Sequence, residues 1–197
     1  MNTKIVSCTL AALLFSADVL PQVYINTELQ KVVVENQWKG KKVAFLGDSI
    51  TDKNHIGTTK CYWEYLAEML GLEAFSYGIN GNQMDGLLGQ AENLLKEQGD
   101  AIDAIIVFAG TNDYNAGIPL GDWYEEVYRE VPLADGKTGS RRYRKPLMSN
   151  DTFRGRINRL MNDLKTNFPS KQIIVLTPLH RGFAQFGAQN VQPEEAY

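Results

Sequence analysis

The sequence predicts an α/β fold, a three-layer α/β/α sandwich built on one parallel sheet. Three observations predict it. Four short apolar runs recur along the chain, and three of them are continuous rather than alternating, as expected of strands covered on both faces. Amphipathic helical patterns separate these runs, which implies right-handed crossovers between parallel strands. Glycine, hydroxyl and amide residues cluster just after each run, at the end of the sheet where α/β proteins bind ligands.

The elements follow in order. The four runs are Val43 to Leu46, the weaker Ala74 to Tyr77, Ala104 to Phe108, and Ile173 to Leu176. A first helical stripe is Trp63, Leu66, Ala67 and Leu70, and Cys61 at its start reads as a small core residue. A second is Met84, Leu87, Leu88, Ala91, Leu94 and Leu95. A third is Phe153, Ile157, Leu160, Met161 and Leu164, with Asn150 or Asp151 expected as its cap. Residues 114–150 break this rhythm. They carry little periodicity, although "DWYEEVYREV" suits a short helix. An insertion of this length is a lid, a binding loop or a disordered segment. Within it, Trp123, Tyr124, Tyr128 and Tyr143 suit stacking on a sugar ring or lining an acyl pocket; the plainer expectation is that they pack the insertion onto the body.

The chain of 197 residues, 44% hydrophobic and 22% charged, suffices for one sizeable core. Its net charge of -3 and the lack of a basic stripe argue against nucleic acid as a partner. The basic cluster "RRYRK" (Arg141 to Lys145) reads as a solvated face. At the N-terminus, Lys4, the apolar run Ile5 to Phe15 and the small pair Ser16-Ala17 follow the plan of a secretory signal peptide over residues 1–17. The expectation is therefore a secreted or periplasmic protein. Residues 18–40 form a lead-in, and residues 41–197 the domain. No other segment is long and apolar enough to insert stably in a membrane.

The chemistry concentrates after the first three runs. "GDSIT" puts Ser49 at a sharp strand exit, where a hydroxyl is exposed and backbone N–H groups are free. A serine attacks an acyl carbon when a base takes its proton and donors stabilise the oxyanion. Gly81 in "GINGN" lets a backbone N–H approach an oxygen closely, and Asn112 in "GTND" offers an amide NH₂. The Ser49 N–H, Gly81 N–H and Asn112 amide together suit an oxyanion hole. Asp48 and Asp113 are expected to organise turns by accepting backbone N–H bonds.

These blocks resemble those of the SGNH or GDSL hydrolases. "GDSIT" matches that family's first block with Ser49 as nucleophile, "YGINGN" its second with Gly81 as the oxyanion glycine, and "GTND" its third with Asn112 as the other donor. The resemblance covers about Lys41 to Gly182. It implies a flavodoxin-like sheet and ester hydrolysis through an acyl-enzyme on a small-molecule or glycan ester, with no required metal or cofactor. The family's last block, Asp-x-x-His near the C-terminus, has no counterpart in the C-terminal part of this sequence, which is expected to be a C-terminally truncated version of the fold. Of the two histidines, His55 is close to Ser49 in sequence and His180 follows the fourth run in "TPLHRG". Neither is expected to be the base; His180 is the substitute if one exists, and with Arg181 it suits the substrate side. The chain is therefore expected to be nearly inactive, with a non-catalytic glycan- or ester-binding protein as the alternative. A phosphate-binding role is not supported, since "LGDSIT" is no glycine-rich phosphate loop.

Overall fold

The computed structural model describes residues 24–27, 30–33, 36–54, 57 and 59–178. Residues 1–17, His55, His180 and Arg181 lie outside the described residues. The chain divides into two compact units, Met1–Gln37 and Trp38–Tyr197. In the first, β1 (Tyr24–Thr27) pairs antiparallel with β2 (Gln30–Val33), a ladder not anticipated in the lead-in.

The second unit holds the parallel sheet. Its strands are β3 (Lys42–Gly47), β4 (Glu73–Ser76), β5 (Ala104–Phe108) and β8 (Gln172–Val175), in the order β4-β3-β5-β8. Each predicted run is a strand, to within one residue at its ends. The central pair is in register from Val43↔Ala104 to Gly47↔Phe108, so the turns after β3 and β5 leave the sheet side by side.

Strand side chains alternate between two cores. Ala44, Leu46, Ile105 and Val107 face one side and pack with Leu87, Ala91 and Leu94 of α2 (Leu87–Gln98) and with Phe153, Leu160 and Leu164 of α4 (Phe153–Asn167). Val43, Phe45, Ala104 and Ile106 face the other side and pack with Trp63, Leu66, Ala67 and Leu70 of α1 (Tyr62–Leu70). These are the three layers. Among the described residues β8 is an edge of the sheet, and its Val175 is 45% exposed.

Several local expectations change. The second stripe begins as a short 3₁₀ turn, Met84–Gly86, before α2, and Leu95 is exposed at the margin of its apolar face. The cap of α4 is Thr152, whose Oγ1 accepts the Gly155 N–H at 3.3 Å, not Asn150 or Asp151. "GTND" lies on a short helix, α3 (Thr111–Asn115), after Gly110 turns the chain at a φ of 125°.

The suspected helix in "DWYEEVYREV" is instead β6 (Tyr124–Pro132), paired antiparallel with β7 (Thr138–Pro146). The glutamates favour a helix locally, but the facing strand decides. "RRYRK" sits on β7, where Lys145 reaches Glu125 at 2.7 Å and Arg142 reaches Glu126 at 3.3 Å. Asp135 and Gly136 turn the hairpin, with Gly136 at a φ of 78°. The root is tied to α4, since Asn158 Nδ2 donates to the carbonyls of Trp123 and Leu147 at 2.7 and 2.9 Å.

Among the described residues no helix is long and apolar enough to cross a membrane, and no three metal-ligating side chains cluster.

Candidate active site

Ser49 sits in the turn that ends β3. The N–H groups of Thr51 and Asp52 both donate to the Asp48 carbonyl at 3.0 Å, and Ile50 N–H donates to Asp48 Oδ1 at 3.1 Å. The Asp48 carboxylate thus organises its own turn. Burial pushes its pKa up, and the Ile50 N–H offsets part of that. Beyond Ser49, the Thr51 carbonyl accepts from Trp63 Nε1 at 3.0 Å and from Ser76 Oγ at 2.6 Å. The turn is thereby tied to both α1 and β4. On the other core face, the Gln90 side chain of α2 grips Gly47 twice, accepting its N–H at 2.9 Å and donating to its carbonyl at 2.8 Å.

The second loop follows β4. A side chain at Gly78 would drive its Cβ to 2.5 Å from the Thr51 carbonyl carbon, so only glycine lets the two loops touch. Ile79 N–H donates to the Gly47 carbonyl at 3.1 Å, and Asn80 N–H to Asp52 Oδ2 at 2.9 Å. Gly81 is exposed, with a φ of 79°. Among the described residues, neither the Ser49 N–H nor the Gly81 N–H has an acceptor.

The third loop is stapled to the second. Asn112 Nδ2 donates to the Asn82 carbonyl at 2.8 Å, which leaves one hydrogen of its amide. Asp113, fully buried, accepts the Met84 N–H at 2.8 Å on one oxygen and Arg156 Nη1 at 2.8 Å on the other. Burial raises the Asp113 pKa, against the pull of Arg156 and the Met84 N–H. So the three loops that carry Ser49, Gly81 and Asn112 are joined in a chain of hydrogen bonds, loop one to loop two and loop two to loop three.

A cleft of about 530 Å³ opens beside Ser49, lined among the described residues by Ile50, Gly57, Lys60, Cys61, Tyr62 and Tyr65. Tyr62 is its fixed wall. The ring stacks edge-on against Phe45 and Phe108, at 5.9 and 5.5 Å, and its hydroxyl meets Thr51 Oγ1 at 3.3 Å. Burial pushes the Tyr62 pKa up to about 12, so the hydroxyl stays protonated. Burial also raises the Cys61 thiol, which keeps it from acting as a thiolate. Trp123 and Tyr124 do not line this cleft. Each ring instead lies under an arginine, Arg154 at 5.3 Å and Arg144 at 4.3 Å.

The chain does contain one Asp-x-x-His, Asp52-Lys53-Asn54-His55, directly after the serine and not near the C-terminus. Asp52 accepts Asn54 N–H at 2.7 Å on one oxygen and Asn80 N–H on the other, so both bind backbone. Two buried polar side chains that hold these loops escaped the sequence reading, Gln90 and Arg156. Both lie on the apolar stripes of their helices, and a polar residue on such a stripe is the signal that marks them.

The family model of the GDSL-like Lipase/Acylhydrolase family matches residues 45–196. The chain belongs to that family. Two solved structures agree with the fold. One is a protein from Lactobacillus plantarum, 27% identical with a TM-score of 0.55, the match covering 81% of this chain and 66% of the other. The second is a possible lipase from Chitinophaga pinensis DSM 2588, 23% identical with a TM-score of 0.55, covering 79% of this chain and 60% of the other. The chain thus spans two thirds or less of the solved chains it matches. A comparison with curated proteins found no match. Membership in the GDSL-like family fits the clustering of "GDSIT", "GINGN" and "GTND" at one end of the sheet.

Proposed function

We propose that this chain carries an ester-cleaving site in which Ser49 is the nucleophile. Ser49 Oγ attacks the ester carbon, and the carbonyl oxygen becomes an oxyanion. The N–H groups of Ser49 and Gly81 and the free Asn112 amide hydrogen hold that oxyanion. Collapse expels the alcohol, which takes up the proton that the Ser49 hydroxyl gave up, and leaves the acyl group on Ser49 for water to remove. The observation that carries this reading is the pinning of the three loops to one another, with the N–H groups of Ser49 and Gly81 unengaged among the described residues.

The family's C-terminal Asp-x-x-His has no match in this sequence, so turnover by these 197 residues should be slow. Losing the base costs a serine hydrolase roughly a millionfold, while the oxyanion hole and binding keep about 10³–10⁴ over water. The same gap favours a second reading, a protein that binds an ester or glycan without cleaving it. Carbohydrate esters remain the substrate class that the aromatic-bearing insertion suggests, although Trp123 and Tyr124 stand outside the cleft beside Ser49, and the charged leader fits export to the cell exterior or periplasm.

Hydrolysis of p-nitrophenyl acetate tests the reading. The expected result is slow release that disappears in Ser49→Ala. Release at ordinary enzymatic rates of about 1–10³ s⁻¹, lost in His180→Ala but kept in His55→Ala, would make His180 the base and overturn the expectation of slow turnover. Saturable glycan-ester binding with no Ser49-dependent release would select the second reading.

A further inference from the structure

We propose that Arg156 is a positioning residue for the two oxyanion donors that come from different loops, Gly81 and Asn112. The inference rests on the reading of Ser49, Gly81 and Asn112 given above.

Arg156 stands in the first turn of α4, on the stripe that otherwise packs Phe153, Leu160 and Leu164 into the core. Its side chain is only 8% exposed. Taking a guanidinium out of water is costly, and a well-packed apolar side chain at such a place is often as stable or more so. The hydrogen bonds say what the charge does there. Nε donates to the Asn150 carbonyl at 2.7 Å, which fixes the head of the side chain to the segment before α4. Nη1 donates to Gln83 Oε1 at 2.7 Å and to Asp113 Oδ1 at 2.8 Å. Nη2 lies 3.7 Å from Asp85 Oδ2.

Those partners belong to two loops. Gln83 and Asp85 follow Gly81 by two and four residues, and Asp113 follows Asn112 directly. One planar group therefore holds the second and third loops at a fixed separation. Asp113 repeats the link through the Met84 N–H, and Asn112 repeats it through the Asn82 carbonyl. Neither donor touches Arg156 itself. A rotation of the Asn112 amide or a slide of the Gly81 loop would misplace a donor, and a shift of about 1 Å at a reacting centre can cost about 100-fold. A lysine keeps the charge, but its single ammonium cannot donate to Gln83 and Asp113 while a second nitrogen of the same plane holds the Asn150 carbonyl.

The test measures how fast a fluorophosphonate labels Ser49 in the full chain, read by the mass of the Ser49 peptide, with Ser49→Ala as blank. Arg156→Lys is made alone and together with Asn112→Ala, and Gln83→Leu is made in the same two backgrounds in case Arg156→Lys does not fold. Melting curves confirm which variants fold. The expected result is that Arg156→Lys slows labelling about 10-fold to 100-fold in the parent chain and by a clearly smaller factor beside Asn112→Ala, where only the Gly81 donor is left to misplace. Gln83→Leu should follow the same pattern with a smaller factor. Equal slowing in both backgrounds, or no slowing in the parent, overturns the inference while leaving Ser49 and Asn112 in their roles. Labelling that ignores Asn112→Ala, or that persists in Ser49→Ala, overturns the reading beneath it instead.

Discussion

Asp48, Asp52 and Asp113 stand on the loops around Ser49, and their carboxylates bind the frame: Asp48 accepts from the Ile50 N–H, Asp52 from the Asn54 and Asn80 N–H groups, and Asp113 from the Met84 N–H and Arg156. Geometry, not acidity, assigns them to architecture. Their titration has a consequence for stability. Burial raises Asp48 above its ordinary value of 3.8, so the folded protein holds that proton to a higher pH than the unfolded chain does. The associated stabilisation is full below 3.8 and is lost as pH rises through the folded-state value. Asp103 behaves oppositely, since the Lys42 N–H and Lys41 lower its pKa; its contribution is present above 3.8 and lost as pH falls through the lower folded-state value. Melting temperatures across this range check the signs. Relative to Asp48→Asn, the parent chain should gain stability as pH falls from about 7 to about 4, and relative to Asp103→Asn it should lose stability on further acidification. The residues proposed to act on the ester, Ser49, Gly81 and Asn112, were legible because each follows an apolar run. Gln90 and Arg156 were not, because their role depends on which loop lies across the helix, and a helical repeat carries no such information.

At the scale of elements, the periodic segments were legible and the junctions between them were not. The stripe from Phe153 to Leu164 predicts α4, but its cap falls on Thr152 rather than on either of the two residues before it. All three are good caps by type, and only the path of the incoming chain chooses. Thr152→Ala should lower unfolding stability by about 1 kcal/mol in a urea titration, whereas Asp151→Ala should change it by less than about 0.5 kcal/mol. If Asp151→Ala costs the more, the cap is misassigned. The β6–β7 hairpin was missed for a related reason. Two ion pairs cross the ladder, Glu125–Lys145 and Glu126–Arg142, and Arg129 and Arg144 lie over the Tyr143 and Tyr124 rings, and that pairing is invisible when either strand is read alone. The Asp-Gly turn between them was the available signal.

At the scale of the whole molecule, alternating strands and helices imply a parallel sheet, and its observed order β4-β3-β5-β8 brings three loops distant in sequence to one end of it. The polar network from Asp52 through Asn80, Asn82 and Asn112 to Asp113 and Arg156 then holds those loops as a single frame. In the proposed reading "GDSIT", "GINGN" and "GTND" act only together: a serine at the end of β3 is a turn residue until the other two loops bring their donors to it. The claim at the centre is that Ser49 is the acyl acceptor in this frame. The direct measurement is peptide mass analysis of the 197-residue chain after exposure to p-nitrophenyl acetate. The expected result is an acetyl group on the peptide that carries Ser49, formed slowly, long-lived, and absent from that peptide in Ser49→Ala and reduced in Asn112→Ala. Acetyl groups found only on lysines, at the same rate in the parent chain and in Ser49→Ala, would contradict it.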